Sequence, residues 1–215
     1  MTEPDRWCLV VPVKRLALAK TRLAAVAGRH RTDLALAFAL DTVEAALGCD
    51  LVRAVVAVTD EPDAAIALAG LGALVVGDEP DAGLNPALAH GAAVARAAHP
   101  GCGVGALSAD LPALRPGELS SALLAAADHD VSFVRDAAGD GTTLLLARDG
   151  VAFEPRFGAG SARLHATAGA IELSGDLPSL RRDVDTEGDL AVATALGLGP
   201  RSRAVVGRIA VHESR

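Results

Sequence analysis

The chain has 215 residues, 51% of them hydrophobic, and a formal net charge of -7, which is enough length and apolar content for one core of ordinary size. With only 2% aromatic residues and an acidic balance, it lacks the basic surface and stacking platforms that nucleic-acid binding requires. No run of about 18 uncharged apolar residues is present to span a membrane, so a small-molecule ligand is expected, with neither nucleic acid nor membrane as partner.

The opening MTEPDRW carries acids ahead of the short apolar stretch WCLVVPV, a pattern unlike a secretory signal, and a cytoplasmic location is expected. Trp7 to Val13 reads as a strand and is followed by VPVKRLALAKTRL, residues 11–23, with four cations. From Asp33 to Leu47, Leu36, Leu40, Val43 and Leu47 recur at helical spacing. Arg53 to Thr59 is a β-branched strand, Asp63 to Leu71 a helix, and Ala73 to Val76 a third strand. An alanine-rich helix over Asn85 to Ala98 leads to a strand over Val104 to Ser108 and a helix from Pro116 to Ala127.

Continuously apolar strands alternating with helices define a mostly parallel sheet covered on both faces, an α/β three-layer sandwich. Beyond residue 130 the rhythm changes. Val131 to Arg135 and Thr143 to Ala147 flank a turn-rich DAAGDGT too short for a helical crossover, which predicts a hairpin insertion. A last helix is expected over Thr186 to Leu196. The whole chain reads as a single domain with its core over about 7–198 and a polar tail over 199–215, partly disordered. Three cysteines, Cys8, Cys49 and Cys102, have no CxxC or Cys/His spacing and read as small buried hydrophobes.

In an open parallel sheet, ligands bind beyond the carboxyl ends of the strands. Lys14, Arg15, Lys20 and Arg22 follow the first strand, and their spacing fits no single helical stripe. They form either a solvated face or a loop that wraps a polyphosphate with cations from several directions. The Walker pattern GxxxxGK[ST] is missing, and GCGVG precedes its strand where a dinucleotide fingerprint must follow one.

Asp110 ends the fourth strand and is fixed by the following Leu-Pro, as a turn residue or as a metal ligand. Asp183 and Asp185 are expected to face opposite ways, with Asp185, nearer the sheet edge, the one to meet Asp110. Two such carboxylates suffice for magnesium, which keeps several waters. RFGAGSARLH, residues 156–165, reads as a glycine turn into a short helix capped by Ser161. That helix start is either plain structure or an anion site with Arg163 and His165 in reach.

Taken together, VPVKRLALAKTRL, GLN at Asn85, ADLPAL at Asp110, GDGTTLLL at Thr142, PRFGAGSARLH at Ser161 and DVDTEGDL at Asp185 resemble the guanylyltransferases of deazaflavin coenzyme F-420 biosynthesis, over about residues 7 to 200. The resemblance implies a Rossmann-like αβα nucleotidyltransferase fold, akin to nucleotide-diphospho-sugar transferases, and transfer of GMP from GTP to a phosphorylated three-carbon acid. Lys14 and Lys20 would then lie along the nucleotide phosphates and Asn85 near the base or ribose, while Asp110 and Asp185 would hold Mg2+. Thr142, Gly158 and Ser161 would hold the acid. Lys20, with Lys14 or Arg22, would neutralise developing charge.

Ala109 stands where many relatives carry glycine, a substitution tolerable only at negative φ. Phosphoenolpyruvate is the expected acceptor, since the alanine-, glycine- and arginine-rich composition fits GC-rich genomes whose relatives resemble that type, with 2-phospho-L-lactate the alternative. Another nucleotidyltransferase and a non-catalytic GTP-binding module are the further readings. A homodimer and handover of a labile product to a downstream transferase are left open.

Overall fold

The computed structural model describes residues 6–13, 23, 27–79 and 81–213, without the side chains of residues 29 and 211–213. Four strands, Trp7–Pro12 (β1), Val52–Val58 (β2), Leu74–Val76 (β3) and Gly103–Leu107 (β4), form parallel ladders in the order β3-β2-β1-β4. The expected hairpin, Val131–Arg135 (β5) and Thr142–Ala147 (β6), enters this sheet through its second strand. β6 pairs antiparallel with β4 on one side and β5 on the other, and the short Ile171–Glu172 (β7) extends the sheet in parallel with β5.

This topology determines where a site can form. Because β6 runs against its neighbours, with Leu107 opposite Leu144 and Arg135 opposite Thr142, the amino end of β6 shares a sheet edge with the carboxyl ends of β1, β2, β4 and β5. Thr142, Asp110 and Val13 therefore all lie along one rim.

Side chains alternate across the sheet as period two demands. Trp7, Leu9 and Val11 face the helices Arg31–Leu47 (α1), Pro62–Gly70 (α2) and Pro116–Ala126 (α4), whereas Cys8 and Val10 face Leu84–Ala98 (α3). Each fully buried Leu or Val contributes about 1.5–3 kcal/mol, so the rim rests on a rigid base. The glycines of GCGVG serve this packing: a Cβ on Gly103 would meet the Trp7 ring at 2.6 Å and one on Gly105 would meet Leu146 at 2.5 Å. That close approach explains a glycine run that carries no nucleotide fingerprint.

Four further α-helices follow among the described residues: Ser161–Thr167 (α5), Pro178–Arg181 (α6), Glu187–Leu196 (α7) and Pro200–Glu213 (α8). Residues 199–215 were expected as a polar, partly disordered tail, yet over its described residues this segment is a helix packed on α1. Val205 and Ile209 are buried with Leu34 and Phe38. The first-turn N–H groups of Arg201 and Ser202, which have no partner inside their own helix, donate to the buried Asp41 carboxylate of α1 at 3.2 and 2.7 Å. The Arg201 guanidinium also reaches Glu44 at 2.7 Å. No helix among the described residues is long and apolar enough to cross a membrane.

Candidate active site

Lys14, Lys20 and Arg22 lie outside the described residues, as does the expected division of their stretch into a loop and a helix from Thr21. The remaining predicted residues fall in three groups along the rim.

Asp110, half-buried, follows β4 in a loop pinned from α1. Thr42, fully buried, donates its hydroxyl to the Phe38 carbonyl at 2.8 Å, approaches the Ala109 carbonyl at 3.3 Å and accepts the Leu111 N–H at 3.1 Å. These contacts hold the peptides on either side of Asp110. Ala109 keeps a negative φ, since Asp81 is the one non-glycine residue with positive φ among the described residues, so alanine is accommodated there.

The second carboxylate segment is hydrogen-bonded to the first: the Val184 N–H donates to the Asp110 carbonyl at 3.1 Å. Val184 is fully buried, Asp183 half-buried and Asp185 exposed. The expectation that the two aspartates face opposite ways is incorrect. Positions i and i+2 of an extended segment share a side, and the residue turned inward is the valine between them.

Asp189, in the first turn of α7, fixes Asp185 from behind. Its carboxylate accepts the Thr186 N–H at 2.9 Å, the Thr186 hydroxyl at 2.7 Å and the Asp185 N–H at 3.4 Å, and it pairs with Arg182 at 2.9 Å. Thr186 in turn accepts the Asp189 N–H, closing a capping box. Burial alone would raise the Asp189 carboxyl, but the Thr186, Asp185 and Arg182 donors outweigh it and hold it below the ordinary range. No group of three or more His, Cys, Asp or Glu side chains gathers as a metal cluster among the described residues. The donors present, two carboxylates on hydrogen-bonded segments, suit a hard cation that keeps part of its water shell.

The residues expected to hold the acid surround the loop over residues 156–161. Thr142, at the start of β6, is buried, and its Oγ1 lies 2.9 Å from Nδ1 of His165 on α5. The other ring nitrogen, Nε2, accepts the Arg156 backbone N–H at 3.0 Å. Burial, with the Arg156 charge second, lowers the His165 pKa to about 4. His165 is therefore a neutral bridge inside the structure, between Phe133 and Phe157, and not the anion-facing cation the sequence suggested.

Ser161 is buried, but it is the first residue of α5 with Gly160 at the cap position and no side-chain cap bond, which corrects its reading as the cap. Gly158 has φ +130, a backbone region that disfavours any side chain. Its carbonyl accepts the Ser161 N–H at 3.1 Å. The β5–β6 turn braces this loop from below. Asp136 accepts the N–H groups of Gly139, Asp140 and Gly141 at 2.6, 3.0 and 2.8 Å. Asp140 then accepts from Gly160 through its carboxylate at 2.9 Å and from Ala162 through its carbonyl at 3.1 Å.

Asn85, in the first turn of α3, clamps the same loop: its Oδ1 accepts the Phe157 N–H at 2.7 Å and its Nδ2 donates to the Phe157 carbonyl at 3.1 Å. One amide N–H of Asn85 is left over by this pairing. Next to it, at the ends of β1 and β2, opens a cavity of about 390 Å³ lined by Val13, Thr59, Asp60, Asp78, Asp81 and Leu84 among others. Asp60 accepts the Asp78 N–H at 3.0 Å, and the Asp78 Oδ1 is buried without a hydrogen-bond partner.

A parallel sheet with an antiparallel insertion, carboxylates after β4 and before α7, and an anion-suited glycine loop on the same rim define a nucleotidyltransferase. The solved nucleotidyl transferase of Methanothermobacter thermautotroptrophicus has the same fold, with TM-score 0.57 at 17% identity over 89% of this chain and 98% of that one. Residues 7–209 match the family described as "Guanylyl transferase CofC like", and the chain belongs to that family. It is 63% identical, over 94% of its length and 90% of the relative's, to the phosphoenolpyruvate guanylyltransferase of Thermomonospora curvata. With the phosphoenolpyruvate guanylyltransferase of Streptosporangium roseum it shares 56% identity over 97% of this chain and 94% of that one.

Proposed function

We propose that the protein transfers GMP from GTP to the phosphate of phosphoenolpyruvate, releasing pyrophosphate and forming enolpyruvyl-diphospho-guanosine. The observation that carries this reading is the loop Arg156–Ser161. It is held from four directions by Asn85, Asp140, His165 and its own Gly158–Ser161 bond, at the rim where the strands end. Full-length relatives that bear the name phosphoenolpyruvate guanylyltransferase support the choice of acid.

A phosphate oxygen is already a nucleophile, so the acceptor attacks the α-phosphorus of GTP without a general base. The task left to the protein is to position two anions and offset their repulsion. In this reading the cavity between β1, β2 and α3 takes the nucleoside, and the remaining N–H of Asn85 is offered to it. Lys14 and Lys20 lie along the phosphates, and Lys20, with Lys14 or Arg22, meets the charge that grows as pyrophosphate leaves. Asp110 and Asp185 would hold Mg2+, which when bound supplies charge neutralisation at the transferred phosphoryl group. Thr142, the Gly158 N–H and the Ser161 hydroxyl hold the acid. Asn85 follows Leu84 of the cavity wall and holds Phe157 of the loop, so it joins the nucleotide half to the acceptor half.

The test is incubation with GTP, magnesium and either phosphoenolpyruvate or 2-phospho-L-lactate, followed by pyrophosphate release and product mass. Phosphoenolpyruvate should give the higher kcat/KM. Faster turnover of 2-phospho-L-lactate would reassign the acceptor, and release with neither acid would overturn the reading.

A further inference from the structure

His165 occupies a position that its sequence does not advertise. It is 1% exposed, wedged between Phe133 and Phe157, and touches Thr142 with one ring nitrogen and the Arg156 amide with the other. The Arg156 N–H can only donate, so Nε2 must be the bare, accepting nitrogen. A neutral imidazole carries one proton, which therefore sits on Nδ1 and is donated to Thr142 Oγ1. With one lone pair of that oxygen taken, the hydroxyl's own proton has to point away from the ring.

We propose that His165 is a positioning residue for the transfer reaction: by donating to Thr142 Oγ1 it directs the threonine's own proton away from the ring, toward an anionic group of the acceptor, and through the same ring it anchors the Arg156 end of the acceptor loop. Without this contact the threonine's proton could turn back toward the interior; with it, the proton is kept for the ligand side. The consequence is a hydrogen-bond donor presented to a carboxylate or phosphate oxygen at that point of the ligand. The inference rests on the assignment of Thr142 to acceptor binding.

The test is a double-mutant cycle read on KM for phosphoenolpyruvate and KM for GTP separately, with His165→Asn, His165→Phe and Thr142→Val. Asparagine keeps a donor near the Nδ1 position and phenylalanine does not. His165→Phe should raise KM for phosphoenolpyruvate roughly 10- to 100-fold, the scale of a hydrogen bond to a charged group, with KM for GTP unchanged, and His165→Asn should restore part of the loss. In a Thr142→Val background the loss caused by His165→Phe should shrink to the part carried by the Arg156 contact, since the hydroxyl it orients is gone. Full additivity of the two losses would overturn the inference and leave Thr142 in place as a ligand. An unchanged KM in Thr142→Val alone would overturn the assignment of Thr142 and the inference with it. Should the phenylalanine variant fail to fold, nitrogen-15 NMR of the wild-type ring decides: a protonated Nδ1 with a bare Nε2 is the expected state, and a protonated Nε2 contradicts it.

Discussion

The two ends of the rim are built differently. Around α5 and the β5–β6 turn, side chains are tied to groups outside their own element: Asn85 to the Phe157 backbone, Asp140 to the Gly160 amide, His165 to the Thr142 hydroxyl and the Arg156 amide. Around β1, β2 and the start of α3 the rim opens into a cavity with exposed carboxylates, a positive-φ aspartate at Asp81 and a buried Asp78 oxygen without a partner. If the first half takes the acceptor, as proposed, it is organised before any ligand arrives and little ordering cost falls on binding. The nucleotide half keeps polar groups unspent, and a larger ligand with many donors would satisfy them.

Loss of the carboxylate after β4 should damage both halves at once. Asp110→Asn is expected to lower pyrophosphate release by about 100- to 1000-fold with the loop retained, because Thr42 and Val184 hold its backbone on either side. Near-normal turnover would remove Asp110 from the site.

The clamp between the halves comes next. Asn85→Ala removes both hydrogen bonds to Phe157 and should cost about 1–3 kcal/mol in denaturant unfolding, while KM for phosphoenolpyruvate rises about tenfold. If only KM for GTP moved, Asn85 would belong to the nucleotide half alone.

Acid should loosen one half selectively. The folded-state pKa of His165, about 4, lies below its ordinary 6.5, so between these values the unfolded chain binds the extra proton. Stability is therefore insensitive to this group above about pH 6.5 and falls as pH drops toward 4, by on the order of 3 kcal/mol in all. Hydrogen exchange at pH 7 and pH 5 should show the loss at Arg156 and its neighbours and spare the β1–β2 edge.

The smallest functional effect is expected far from the rim. Asp41→Ala strips the cap from α8 and should lower stability by about 2 kcal/mol with both KM values unchanged.

The parallel strands, the hairpin and the edge positions of Asp110 and Asp185 are legible in the sequence because each follows from local periodicity or from a turn, whereas Thr142 and Gly158 are reached through the family resemblance. Helix α8 escaped notice. Its apolar residues Val205, Val206 and Ile209 are thinned by arginines, and its cap, Asp41, comes from 160 residues away. His165 showed no metal or catalytic spacing because its partners are a hydroxyl across the chain and a backbone amide, and neither leaves a pattern. Thr42 could have been noticed as a hydroxyl on an apolar helix face, a position where threonine bonds to backbone. Asp183 and Asp185, two residues apart in an extended segment, share a side, so the buried Val184 between them is the better guide to which way the segment faces.

The most direct test of a prebuilt acceptor half is titration of the nucleotide-free protein with phosphoenolpyruvate, followed by amide NMR. The account predicts saturable binding without GTP, with shifts concentrated at Thr142, Arg156 to Ser161 and His165. Binding that appears only once GTP is present, or shifts centred on Thr59 to Asp81, would contradict it.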